Sequence, residues 1–94
     1  MEEKDGGKNR GEYKNLVSQT DAQLLRSIRS YARNAEEHAD KLRAPHEYVG
    51  DWAALDGRHK KGIKGYWLKE IAQYAEKQAI AEAIARERGI VDEQ

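Results

Sequence analysis

Six positions in the first half of the chain, Leu24, Ile28, Tyr31, Ala35, His38 and Leu42, are separated by alternating steps of four and three residues. Residues three and four apart share a face of an α-helix, so this spacing places all six on one stripe. Mostly polar and charged side chains fill the positions between them. The pattern predicts an amphipathic first helix. Its start is marked by Thr20 and Gln23, a T-x-x-Q capping box in which each side chain accepts from a backbone N–H left unbonded at the helix N-terminus. Asp21 in the first turn complements the positive end of the helix dipole, and Lys41 and Arg43 complement the negative end. Pro45 disfavours helical backbone at Ala44, which stops the helix near Leu42.

A second stripe runs through Ile63, Trp67, Ile71, Tyr74 and Gln78, with Ile80 and Ile84 widening its apolar surface. It predicts a helix over residues 58–88. Gly62 and Gly65 weaken the first turns by about 1 kcal/mol each relative to alanine. Gly89, preceded by Arg86 and Arg88 and followed by Ile90, has the pattern of a Schellman-type helix end, with the last four residues fraying. Between the helices, residues 44–57 form a connection in which Asp51–Leu55 makes one short helical turn bracketed by Gly50 and Gly57. Residues 1–15 are polar, glycine-containing and without period, and read as a disordered lead-in to a domain spanning residues 16–90. The expected fold is all-α: an antiparallel two-helix hairpin with a short helical elbow.

Composition limits what such a hairpin can bury. Of the 94 residues, 38% are apolar and 36% charged, and phenylalanine is absent, so the core is a thin seam between helices. A core of that kind supplies about 3–5 kcal/mol. The 17 basic and 17 acidic residues cancel, so only local clusters argue for a charged partner. Cysteine is absent, which excludes disulfides and thiolate metal sites. No apolar run approaches the ~20 residues of a membrane span, and no signal peptide is visible. The pattern leaves the oligomeric state open.

Two features carry candidate chemistry. Residues 58–69, RHKKGIKGYWLK, hold Arg58, Lys60, Lys61, Lys64 and Lys69 without an acid. Lys60, Lys64, Trp67 and Ile71 fall on one helical row, which would set ammonium groups beside an indole face, as a nucleic-acid backbone with a stacked base requires. The alternative is a solvated helix start with Trp67 buried in the seam. The second feature is His38. In an antiparallel hairpin the end of the first helix meets the start of the second, so His38 would lie near the basic stretch and Trp67. A histidine that titrates near neutrality moves protons, and a lysine stabilises charge building on a phosphate. These are the parts of metal-independent RNA cleavage through the ribose 2′-hydroxyl. On this reading His38, His46 and Glu70 are the candidate catalytic groups, and Lys41, Arg58, Lys60, Lys61, Lys64 and Trp67 bind nucleic acid. The alternative is a core histidine bonded to Glu70 or to a backbone carbonyl. His38, His46 and His59 lack tight ligand spacing, so neither a metal site nor a cofactor is expected.

The string SIRSY at Ser27–Tyr31, then Glu37-His38, Lys41, Pro45 and Trp52, then YWLKEI at Tyr66–Ile71 and Gln78, resembles a short helical module. That module lies near the C-termini of bacterial polymorphic toxins of the contact-dependent inhibition and Rhs types, and in some phage head proteins. The resemblance covers residues 20–80 as scattered positions. It implies a toxin C-terminal domain, of a class that is often nuclease but spans many unrelated activities. Taken with the seam histidine beside the basic stretch, the expected target is RNA, tRNA included, in the cytoplasm of the cell in which it acts. It also implies delivery as part of a longer secreted protein and a cognate immunity protein as partner. The matching positions with functional potential are His38, Lys41, Trp52, Trp67 and Glu70. Two other readings stand beside this one. The hairpin is a non-enzymatic interaction or assembly module, such as a phage structural piece or a regulator, whose exposed face and Ala-rich residues 79–85 pair with another helix. Or it binds RNA without cleaving it.

Overall fold

The structure, a computed structural model, describes residues 10–90. Three α-helices, α1 (Arg10–Val17), α2 (Asp21–Arg43) and α3 (Gly57–Arg88), are joined by a tight turn and by an elbow with two short 3-10 turns, Pro45–Glu47 and Trp52–Ala54. The described residues form no strand.

The capping signals act as their residue types dictate. Thr20 Oγ1 accepts from Gln23 N, and Gln23 Oε1 accepts from Thr20 N, closing the capping box of α2. Asp56 caps α3 by accepting from His59 N at 2.8 Å. At the far end Gly89 takes a left-handed φ of 76°, open to glycine at little steric cost. Gly89 N donates to Arg86 O and Ile90 N to Ala85 O, the paired bonds of a Schellman end.

Helices α2 and α3 pack antiparallel. Arg88 bonds Asp21 at one end, and Tyr31 and His38 both meet Tyr74 farther along. Buried Leu24 and Ile28 of the seam meet Ala81, Ile84 and Ala85 of α3 at the open end of the hairpin. Tyr31, Ala35, His38 and Leu42 are only half-buried, so the seam thins toward the elbow. Ala81 and Ala85 therefore belong to the chain's own core, which corrects the expectation that residues 79–85 as a whole are free to pair with another helix.

The N-terminal lead-in also needs correction. Residues 10–15, expected to be disordered, belong to α1, while residues 1–9 and the fraying expected of 91–94 lie outside the described residues. Eight residues are too few for a stable isolated helix, so α1 depends on docking. Leu16 is fully buried in the core cluster, a contribution of about 1.5–3 kcal/mol. The Tyr31 hydroxyl donates to the Glu12 carboxylate. Arg88 donates from Nη1 to Asp21 Oδ1 at 3.0 Å and from Nη2 to Val17 O at 2.9 Å, joining the ends of all three helices.

Candidate nucleic-acid interface at the closed end

Pro45 leaves Ala44 outside helical backbone, at φ −141° and ψ 68°, and α2 ends there. The chain then crosses to α3, and Asp51 turns it with a left-handed φ of 59°. Aspartate tolerates this region better than most residues. The turn starts the 3-10 segment Trp52–Ala54 and sets Trp52 against α3.

Trp52 stacks on Trp67, with ring planes 19° apart and centroids separated by 6.3 Å. Lys60 Nζ lies 5.8 Å and Lys64 Nζ 5.9 Å from the centroid of the Trp52 ring. Such a contact contributes about 0.5–1 kcal/mol at an exposed site, which offsets the roughly 0.2–0.5 kcal/mol by which like charges four residues apart repel. Among the described residues neither lysine is paired with a carboxylate. Arg58, Lys61 and Lys69 are exposed, and Lys41 is half-buried.

The predicted row of Lys60, Lys64 and Trp67 is present, with one correction. Trp67 is 6% exposed and lies beneath Trp52, so it is the floor of the cluster and not a stacking face for a base. The outer aromatic is Trp52, which sequence reasoning tied to this site only through the resemblance.

His38 is in the seam as its spacing predicts, in the backbone-bonded form. Its Nδ1 lies 2.8 Å from Asn34 O. A carbonyl accepts only, so Nδ1 carries the proton and Nε2 is the nitrogen left for exchange. The ring packs on Tyr74 at 5.7 Å between centroids, and Lys77 Nζ lies 5.9 Å from the same Tyr74 ring. Lys64 is ten residues before Tyr74, about 15 Å along α3 at 1.5 Å per residue. The expected meeting of His38 with Trp67 and the basic stretch is therefore replaced by a separate cluster of His38, Tyr74 and Lys77. Glu70 is half-buried one turn from Tyr74, and His46 is exposed on the first 3-10 turn. Among the described residues no hydrogen bond or ring contact joins either of them to His38. Lys77 and Tyr74 are the residues sequence reasoning missed at this cluster. Antiparallel register brings Tyr74 opposite the seam, and Lys77 follows one turn later.

His59 is exposed, its Nδ1 3.3 Å from Asp56 Oδ1. Among the described residues no three His, Asp or Glu side chains converge as a metal site requires, and no helix is long and apolar enough to cross a membrane. No known protein family matches this sequence, and no curated protein or solved structure is similar to it. The likeness to toxin modules thus rests on its scattered positions alone.

Proposed function

We propose that this chain binds RNA and holds its phosphates at the closed end of the hairpin. The observation that carries this reading is the pair of lysine ammonium groups, without carboxylate partners among the described residues, converging on Trp52 beside exposed Arg58 and Lys61. Phosphate oxygens would serve as their anionic partners, and neutralising those phosphates would release counterions.

Cleavage of the bound RNA is the further activity to which the His38 cluster and the toxin resemblance together point, with an immunity protein as antagonist. It is favoured by the hydrogen bond from His38 to Asn34 O, which leaves Nε2 for proton transfer, and by Lys77 over the same aromatic ring. In this step Nε2 takes the proton of a ribose 2′-hydroxyl and the 2′-oxygen attacks the adjacent phosphorus. The 5′-oxygen departs with a proton taken from solvent water. The Lys77 ammonium offsets charge gained by the phosphate. Inducible expression in bacteria, followed by electrophoresis of total RNA, tests the step. Growth arrest with discrete RNA fragments is expected, both lost in His38→Ala with helicity intact. Fragments that persist in His38→Ala reject its role, and normal growth with intact RNA leaves binding without cleavage.

A second reading, helix pairing in an assembly, is favoured by the outer face of α3. Gly65, Leu68, Ala72, Ala75 and Ala79 fall along one side of the helix, with Gly65, Leu68 and Ala75 among the accessible positions there or beside it. Helicity that rises with protein concentration would mark it.

A further inference from the structure

The closed end also bears on which form of RNA it takes. We infer that the Trp52 cluster is a single-strand site, in which a nucleobase replaces the Lys60 and Lys64 ammonium groups over the indole and those lysines move to the flanking phosphates. This deepens the RNA-binding reading and rests on it. The two lysines are four residues apart on α3, and both lie over one ring. Neither is held by a carboxylate among the described residues, and each ammonium sits on a flexible four-carbon stem. The ring itself is fixed. Its stack on buried Trp67 and its place after the left-handed Asp51 hold it as a platform while the lysines leave.

The exchange has a chemical logic. An ammonium over an indole is a weak, sequence-blind contact, and so is a base stacked on an indole. A base and its phosphate arrive together on one strand. The phosphate draws the lysines away from the ring and the base fills the place they vacate. A duplex offers the same phosphates but keeps its bases stacked internally, so it engages the lysines and leaves the Trp52 ring without a partner. The site therefore discriminates by strandedness through Trp52 and by charge through the lysines, and the two can be separated.

The test titrates the purified full chain with an oligouridylate of about eight nucleotides, a length within the usual single-strand site size. A duplex RNA of equal strand length serves as comparison. Tryptophan fluorescence and direct affinity are both read. Expected are quenching on the single strand, little change on the duplex, and tighter single-strand binding. Trp52→Leu is expected to weaken single-strand binding about tenfold, the loss of one stacked base, and to leave duplex binding unchanged. Trp52→Phe keeps an aromatic platform and is expected to retain most of the affinity while losing the quench, so a folding defect in Trp52→Leu does not hide the answer. Equal affinity for both RNAs, or unchanged single-strand binding by both Trp52 variants, overturns the inference while RNA binding stands. Failure to bind either RNA overturns both this inference and the reading beneath it.

Discussion

The Tyr31 hydroxyl, half-buried in the seam, donates to the Glu12 carboxylate from a helix nineteen residues earlier. Burial pushes its pKa well above the ordinary value near 10, and the hydrogen bond and the charge of Glu12 push it further. Folding therefore favours the protonated phenol. The stability this contributes is fully present below about pH 10 and is lost as pH rises above that value. Tyr31→Phe is expected to cost about 1 kcal/mol at neutral pH, the worth of a typical hydrogen bond. The variant should also lose less stability than the parent between neutral and strongly alkaline solution. Denaturant unfolding of both proteins across that range checks it, and parallel alkaline losses would show that Tyr31 is not the titrating group. At the other end, Asp51 holds a conformation that costs most L-residues about 1–2 kcal/mol. The strain sits where it aims Trp52 at α3.

Each helix has a different source of order. For α2 and α3 the signals are local and can be read from the sequence: the Thr20–Gln23 box, the stop at Pro45, the seam, and the Gly89–Ile90 end all involve residues within a turn or two of each other. Helix α1 is not legible in that way, because what holds it is remote. Leu16 is buried with Ala81, Ile84 and Ala85 of α3, and Val17 O is capped by Arg88, 71 residues away. The site divides in the same manner. The lysine row is a period along one helix and can be read directly, whereas the Trp52–Trp67 stack depends on a left-handed turn, and the Tyr74 contact of His38 depends on interhelical register. The docking of α1 is measurable. Leu16→Ala is expected to destabilise the whole domain by about 2–5 kcal/mol, the usual cost of truncating a fully buried leucine. Unfolding that is unaffected by Leu16→Ala would show that α1 is not part of the cooperative unit.

Across the whole molecule, the aliphatic core and the proposed RNA site sit at opposite ends. The described chain measures 50 × 34 × 15 Å, and its thinnest dimension is little more than one helix diameter. The core cluster and the Arg88 clamp occupy the open end, and the stacked tryptophans and their two lysines occupy the elbow. Net charge is zero, yet residues 57–69 contain five lysines and arginines and no acid. The basic run is thus confined to the start of α3, away from the aliphatic cluster of Leu16, Leu24, Ile28, Ala81, Ile84 and Ala85. The salt dependence of single-stranded RNA binding, measured for the parent protein and for the Lys60→Ala, Lys64→Ala double variant, tests whether RNA phosphate lies at the closed end. Each phosphate contact on a single strand contributes roughly −0.7 to the slope of log affinity against log salt. Contacts from Arg58, Lys60, Lys61 and Lys64 give a slope of about −3 for the parent, and the double variant should be shallower by about 1.4 while folding normally. Absence of binding, or an identical slope in the two proteins, would contradict the assignment of RNA phosphate to the closed end.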